Sequence, residues 1–181
     1  MNAEDLDRVI GVFTARQVSW VLVGAHAVGL LTEPRATADF DFVVEGRRLD
    51  DVISGLAEQF GDLGANDIGA AVQLKSIDID LIRSNNHPLF QEALLQSRKV
   101  GSWNVPRTEV LVVLKFLAAL SPWRHKNKRR LDIIDIASIY EAVPALDREF
   151  MIGLSRLVYP GAETEFCTLL ETLDRGGAIS I

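Results

Sequence analysis

Cysteine is nearly absent from this chain, which has one, Cys167, among 181 residues. A single thiol can form no internal disulfide and cannot build a cysteine-rich zinc site, so the fold has to be held by its apolar core. The apolar content of 48% is ample for such a core in a chain of this length. We expect Cys167 itself to be a small buried apolar residue.

Apolar runs long enough to cross a bilayer are absent as well. The first residues, Met1-Asn2-Ala3-Glu4-Asp5, lack the basic segment and apolar run of a signal peptide. We therefore expect a cytoplasmic protein that makes no contact with a membrane.

Positive charge is in deficit, with 19 Lys and Arg against 25 Asp and Glu and a formal net charge of −6. That balance argues against a surface broadly adapted to phosphate groups. Residues 124–130, Arg-His-Lys-Asn-Lys-Arg-Arg, are the basic exception. The pattern favours a solvated loop there, with contact to nucleic acid or nucleotide phosphates as the alternative.

Hydrophobic periodicity places the strands in the first two thirds of the chain and most of the helices in the last third. Strands are predicted at residues 20–23, 37–44, 71–74 and 77–82, with a further one near 100–105. Helices are predicted at residues 2–16, 25–31, 50–60, 108–120, 131–142, 147–158 and 163–173, and a loop at 61–69. These elements predict an α+β fold, a small mixed sheet with flanking helices followed by a helical C-terminal portion. We expect residues 1–106 to form the core and residues 107–181 to pack on it, in one compact unit.

The most informative motif is Asp39-Phe40-Asp41, on one of these strands. Side chains alternate along a strand, so both carboxylates face one side while Phe40 and Phe42 point into the core. Two acids held together repel each other, and a divalent cation relieves the repulsion; sites rich in oxygen suit Mg²⁺ or Mn²⁺. The alternative is a wet strand edge with solvated acids.

A second pair of acids, Asp78 and Asp80, is also spaced two residues apart on a predicted strand. A neighbouring strand could bring either one beside Asp39 and Asp41. Three carboxylates would then form the type of site that holds two cations roughly 3.5 to 4 Å apart in phosphoryl transfer.

Several motifs together resemble the nucleotidyltransferase fold that is shared with DNA polymerase beta. They are a glycine turn at Gly24 within Val21-Leu22-Val23-Gly24-Ala25-His26-Ala27, then Arg35-x-Thr37-x-Asp39-x-Asp41, Asp80-Leu81-Ile82, Lys115 and Arg129-x-x-Asp132-x-x-Asp135. The resemblance spans residues 21–136. It is strongest to the minimal nucleotidyltransferases and the AbiEii-type toxins of bacteria and archaea.

The resemblance implies transfer of a nucleoside monophosphate from a nucleoside triphosphate to an acceptor, with release of pyrophosphate. Two Mg²⁺ (or Mn²⁺) ions would be held by Asp39, Asp41 and Asp80, and Asp80 would help to activate the acceptor hydroxyl. Asp80 is preferred to Asp78 because it directly precedes an apolar pair, as the family's third acid does. The carboxylates should converge beside the helix that begins after Gly24.

Nucleotide binding is implied for Gly24, Ala25, Arg35 and Lys115. The backbone N–H groups after Gly24 would face the triphosphate, as helix N-termini do for anions. Lys115 is the single charge between residues 110 and 120, and an unpaired buried ammonium is costly, so it has to reach solvent or face a polar cleft. Arg35 could contact a phosphate or pair with an acid, and both alternatives stay open.

The family's acceptors include RNA, proteins and small molecules such as aminoglycosides, and some members belong to toxin–antitoxin pairs. The chain departs from the family at Ala25, where a second glycine or a serine is usual, and at Leu131, where a lysine is usual. These departures motivate a second hypothesis, a catalytically inactive relative that serves as a binding or antitoxin module.

Other residues with polar or aromatic side chains have mainly structural explanations. Asp132 and Asp135 are predicted to cap a helix and to pair with Arg129 or Arg130. His26 is predicted to cap or pack, and His87 to lie in a turn. Trp103 and Trp123 are predicted to be core or interface residues, with stacking on a base as the alternative.

Overall fold

The sheet at the centre of the fold has five strands in the spatial order β1-β2-β5-β4-β3, in a computed structural model that describes residues 2–176. The strands are β1 (Trp20–Val23), β2 (Phe40–Val44), β3 (Ala65–Asp67), β4 (Ala71–Leu74) and β5 (Ile79–Arg83). β2 and β5 are parallel, and the other neighbouring pairs are antiparallel. A separate antiparallel hairpin, β6 (Ser97–Val100) and β7 (Trp103–Pro106), lies beside β1.

The helices are α1 (Ala3–Ala15), α2 (Gly24–Gly29), α3 (Leu49–Phe60), α4 (Pro88–Leu95), α5 (Thr108–Leu120), α6 (Lys126–Ala142), α7 (Arg148–Ser155) and α8 (Ala162–Asp174). The predicted α+β class, a small mixed sheet with flanking helices and a helical C-terminal portion, is confirmed. The division of the chain at residue 106 stays a prediction, and its outer ends, residue 1 and residues 177–181, lie outside the described residues. Within residues 2–176, every helix is too short or too polar to span a bilayer.

Strand alternation separates the core from the opposite face of the sheet. Phe42 is fully buried and packs edge-on against Phe13 and Trp20, with ring centroids 5.3 and 5.7 Å away. Asp41, one residue earlier, faces the other side. Phe40 is only partly buried, so the expectation that both phenylalanines enter the core holds fully for Phe42 alone.

The single strand expected near residues 100–105 is a hairpin of two strands, β6 and β7. α4 and β3 were missed because their local chemistry was misinterpreted. His87 was expected in a turn, but it caps α4, which begins at Pro88. Pro88 occupies the first turn, where its missing N–H costs nothing, and His87 Nδ1 accepts from Leu89 N at 3.2 Å. The predicted loop at 61–69 contains the short, fully exposed edge strand β3. Polar composition concealed that strand.

The basic stretch at residues 124–130 was expected to be a solvated loop, and this prediction is wrong from Lys126 onward. α6 begins at Lys126, and His125 caps it by accepting from Asn127 N at 3.3 Å. The basic side chains are therefore presented from a helix at fixed intervals. Cys167 lies partly buried on α8 with a free thiol, rather than fully buried as expected.

Candidate active site

Asp41 and Asp80 are placed side by side by strand pairing, because β2 and β5 are parallel and Asp41 lies opposite Asp80 in their register. Asp39 is exposed and directly precedes β2, so the expectation that both acids of the motif lie on the strand is wrong for Asp39. The three side chains line one cavity of about 100 Å³. The structure thus brings together the three acids that the sequence singled out.

Asp78 does not share this cavity lining. It lies in the turn before β5 with φ at +51°, and its carbonyl oxygen accepts from Phe40 N at 2.9 Å. The expectation that Asp78 and Asp80 occupy one strand is therefore wrong. A positive φ takes Asp78 out of the extended conformation that would have put both acids on one face.

Gly24 leaves the space into which the Asp41 carboxylate fits. β1 pairs antiparallel with β2, so Val23 lies opposite Asp41 and Gly24 follows at the end of the strand. Its φ is +68°, and a Cβ atom there would lie 2.0 Å from Asp41 Oδ2. A side chain at this position would clash with the carboxylate as well as strain the backbone. The glycine turn is thus required by the acid beside it.

The electrostatics of the acids show their mutual repulsion. Burial raises the pKa of Asp41 to about 6, with a further contribution from the charge of Asp80. Lys115 and Arg124 oppose that rise in the pKa of Asp41 without cancelling it. The pKa of Asp80 is also raised, by burial and then by the charge of Asp39. A cation bound among these groups would relieve the repulsion between the carboxylates, which destabilises the folded chain.

Lys115 is buried on α5 and lines the same cavity. Its ammonium Nζ lies 3.1 Å from Asp132 Oδ1 and 2.7 Å from Asp135 Oδ2, both on α6. Lys115 therefore faces a polar cleft, one of the two predicted alternatives, and its charge is compensated by a pair of buried carboxylates.

The same two acids also hold two arginines of the cavity. Arg35 donates to both carboxylate oxygens of Asp135 at 2.8 and 3.0 Å, so it pairs with an acid, one of its two predicted roles. Arg124 donates to Asp132 at 2.5 and 3.2 Å. Burial alone would raise the pKa of Asp135, but the hydrogen bond from Arg35 and the charge of Lys115 outweigh it and lower that pKa.

The predicted capping role of Asp132 and Asp135 is wrong. Both lie well inside α6, which begins at Lys126, and both are almost completely buried. Their partners are the three cations just described, rather than Arg129 or Arg130. Those partners are 8 to 100 residues away in sequence, a distance over which helical spacing carries no information.

Lys128 is the fourth cation of the cavity and differs from the others. Its positive charge partly offsets the rise in the pKa of Asp80. Among residues 2–176, Lys128 takes part in no ion pair. In the sequence, Lys128 belongs to the basic stretch at residues 124–130, and no feature of its pattern assigns it to the site. Leu131, one turn further along α6, and Ala25 also line the cavity, so both departures from the family pattern lie at the site.

The aromatic residues near the acids have a packing role. The His26 ring stacks on Phe40 with centroids 3.7 Å apart and planes 4° apart, in accord with the predicted packing role. Burial and then the charge of Arg35 lower the pKa of His26. Trp103 also stacks on Phe40, with ring centroids 6.2 Å apart, whereas Trp123 is 94% exposed and does not belong to the core.

A second and larger cavity, of about 590 Å³, adjoins the first. Asp41, Lys115 and Arg124 line both cavities and mark their junction. In the part of the chain that the structure describes, no three His, Cys, Asp or Glu side chains are grouped as ready metal ligands. The acids thus share a cavity without forming a closed coordination cage.

No family model matches the sequence, and no curated protein sequence matches it either. Solved structures do match. The solution structure of the antibiotic-resistance factor ANT(2'')-Ia is 13% identical with a TM-score of 0.56, over 96% of this chain and 95% of that one. Its crystal structure in complex with adenylyl-2''-tobramycin is 11% identical with a TM-score of 0.55, over 92% and 98%.

Two further neighbours have the same architecture. A nucleotidyltransferase-like protein from Paracoccidioides brasiliensis is 18% identical with a TM-score of 0.53, over 94% of this chain and 91% of that one. The lincosamide antibiotic adenylyltransferase LnuA, bound to lincomycin, is 16% identical with a TM-score of 0.52, over 77% and 98%. The chain therefore has the nucleotidyltransferase fold, as its sequence predicted, while the narrower resemblance to AbiEii-type toxins stays a prediction.

Proposed function

We propose that the chain is a nucleotidyltransferase that moves a nucleoside monophosphate from a nucleoside triphosphate to an acceptor hydroxyl. The acceptor oxygen bonds to the α-phosphorus, the bond from that phosphorus to the pyrophosphate oxygen breaks, and pyrophosphate leaves. The proton of the hydroxyl passes to Asp80, the acid that the resemblance implies for activation of the acceptor. We propose that the protein carries out this transfer in the cytoplasm.

The observation that carries this proposal is the shared cavity of Asp39, Asp41 and Asp80, with Asp41 and Asp80 opposite each other in the strand register. A folded protein gains nothing in stability by placing three carboxylates together, and the raised pKa values of Asp41 and Asp80 reflect that cost. Such clusters are typical of functional sites.

The donor set fits Mg²⁺ or Mn²⁺, since all three candidate ligands are carboxylates and hard divalent cations prefer oxygen. Asp39, Asp41 and Asp80 would hold two such ions. When bound, the ions would neutralise the acids and stabilise charge on the transferred phosphoryl group.

The phosphates would lie against the cationic side of the small cavity. Lys128 is the cation there that forms no ion pair with a carboxylate of the described residues. It is therefore the best candidate for a direct phosphate contact. Lys115 and Arg35, which the resemblance also assigns to nucleotide binding, would supply positive charge from fixed positions on Asp132 and Asp135. Gly24 and Ala25 would form the adjoining turn.

The acceptor is an RNA, a protein or a small molecule. The names of two structural neighbours, an antibiotic adenylyltransferase and a factor seen with adenylyl-2''-tobramycin, favour a small molecule. The net charge of −6 disfavours a large RNA surface. A cognate partner in a toxin–antitoxin system stays a prediction; a neighbouring reading frame that encodes a winged-helix or all-helical protein would support it.

The proposal is tested by measuring nucleoside triphosphate binding and pyrophosphate release in the presence of Mg²⁺, for wild type and Asp39→Asn. Asp39 is exposed, so its substitution should leave the fold intact. Asp78→Asn is the matched control, because Asp78 is a nearby acid outside the cavity and asparagine tolerates its positive φ. We expect loss of both signals in Asp39→Asn alone.

One observation favours the inactive module as a second candidate. Lys115, Arg35 and Arg124 are already neutralised by acids of α6, which leaves little free positive charge for a triphosphate. If the chain is an inactive module, Asp39→Asn should leave its affinity for nucleotide and its affinity for Mg²⁺ unchanged. Equal binding by both proteins, with no pyrophosphate released from any triphosphate, would establish this alternative.

A further inference from the structure

The larger cavity has a lining that differs in chemistry from that of the small one. Its charged residues are Asp41, Lys115, Arg124 and Asp132, and all four lie at or beside the junction with the carboxylate site. Two of the four charges are positive and two are negative. Asp132 is bound by both cations, so the junction presents little net charge to the cavity beyond it.

The rest of the wall is mainly apolar and is provided by several elements. Leu114, Leu117 and Ala118 of α5 form one side, and Ile82 of β5 and Phe90 of α4 form another. A volume of about 590 Å³ is within the range of pockets that hold drug-sized ligands. This apolar part of the wall has no carboxylate that could bind a polycation and no cation that could bind a phosphate chain.

The mouth of the cavity is apolar as well. Trp123 is 94% exposed, Ile68 is 56% exposed and Tyr159 is 38% exposed, and all three line the cavity. Large apolar side chains grouped at the rim of a pocket mark a surface that is covered when a ligand binds. The apolar character thus extends from the junction out to the solvent.

We propose that this cavity binds the acceptor, and that the acceptor is an uncharged small molecule with an apolar body and one hydroxyl directed at the junction. The inference rests on the proposed function. The body lies between α5 and Trp123. The hydroxyl oxygen bonds to the α-phosphorus at the Asp41 end, its proton passes to Asp80, and pyrophosphate leaves as its bond to that phosphorus breaks. The phosphates of the nucleotide lie at the small cavity, which Lys128 lines.

The test uses 2-naphthol as the probe, an uncharged aromatic body with one hydroxyl, and measures its binding by calorimetry without nucleotide. Ala118→Phe fills part of the cavity and should weaken binding about tenfold or more. Ala57→Phe, at an exposed position on α3, is the matched control and should bind as wild type does. Trp123→Ala removes the exposed rim side chain at no cost to the core, and should weaken binding about threefold to tenfold.

Competition identifies the occupant. We expect neither the polycation tobramycin nor an α,β-methylene analogue of ATP to displace 2-naphthol. Displacement by tobramycin would contradict the inference that the acceptor is uncharged. Displacement by the ATP analogue would show that the cavity binds the nucleoside rather than the acceptor. Unchanged binding in both Ala118→Phe and Trp123→Ala would also overturn the inference. Asp39→Asn separates the two proposals, because it should bind 2-naphthol normally while losing the nucleotide.

Discussion

Gly24 lies so close to the Asp41 carboxylate that residue 24 has no room for a side chain. A Cβ on residue 24 would lie 2.0 Å from Asp41 Oδ2. The positive φ of Gly24 is a second and separate reason for glycine. Substitution therefore combines backbone strain with a clash against a candidate metal ligand.

Gly24→Ala should lower the free energy of unfolding by more than the strain alone. Gly101→Ala is the matched control, because Gly101 has a φ of +61° with no atom within 4 Å of its Cβ position. We expect a loss of about 1–3 kcal/mol from the φ in both variants and a further loss in Gly24→Ala, measured by urea unfolding. Equal losses would mean that the Asp41 side chain moves away at no cost.

The pH dependence of stability should report the ionisation of Asp41. Its folded-state pKa of about 6 is above the ordinary 3.8, so the folded state binds the proton more tightly than the unfolded state does. This contribution to stability is present below about pH 4 and is lost as the pH rises through about 6.

Asp41→Asn has no such ionisation and should therefore gain stability relative to wild type across that interval. We expect a relative gain on the order of 1–2 kcal/mol, after allowance for partial exposure of the carboxylate, in urea titrations at each pH. A constant difference between wild type and Asp41→Asn at every pH would contradict the raised pKa.

Lys115→Met should be strongly destabilising near neutral pH. It removes the buried ammonium that lies within 3.1 Å of both Asp132 and Asp135 and leaves those carboxylates under-compensated. Breaking a buried ion pair from one side costs about 3–5 kcal/mol, and we expect a loss of that order in the free energy of unfolding. Lys75→Met, at an exposed lysine, should change it little.

The double variant Lys115→Met with Asp132→Asn provides the internal check on this account. It removes one charge of each sign, so its loss should be smaller than the sum of the two single losses. Strict additivity would show that the buried charges contribute independently, against the network that the distances define.

Lys128→Gln should weaken nucleoside triphosphate binding without affecting stability. Lys128 lines the small cavity, and a hydrogen bond to a charged group contributes about 1.5–3 kcal/mol, so we expect a loss of about tenfold or more in affinity. Lys126→Gln is the matched control, two residues earlier on α6 and outside the cavity lining. Equal effects of the two substitutions would reduce Lys128 to a general electrostatic contribution.

Local patterns were enough to predict most of the fold. The strands that carry Asp41 and Asp80 are short, with alternating or continuous apolar residues, and α5 is apolar from Val110 to Leu120 except for Lys115, so their patterns were clear. α4 was missed because a His-Pro pair is equally at home in a turn and at a helix start. β3 was missed because an exposed edge strand of three residues has no apolar alternation.

The ion-pair network could not be predicted because its partners are distant in sequence. Arg35 and Asp135 are separated by 100 residues, and their contact depends on how α6 packs across the loop before β2. Periodicity could show that Lys115 needed compensation but could not supply the partner. The roles assigned to the individual site residues stay predictions until the substitutions are made.

Helix α6 connects the positive charges of the cavity into one mechanical unit. It carries Lys128 directly, and through Asp132 and Asp135 it holds Lys115, Arg35 and Arg124. The three acids of the cavity belong to β2, β5 and the residue before β2, so none of them lies on that helix. Lys115 and Arg124 also lower the pKa of Asp41 against the effect of burial. A substitution that displaces α6 would therefore change both the positive charge offered to a phosphate and the proton affinity of Asp41.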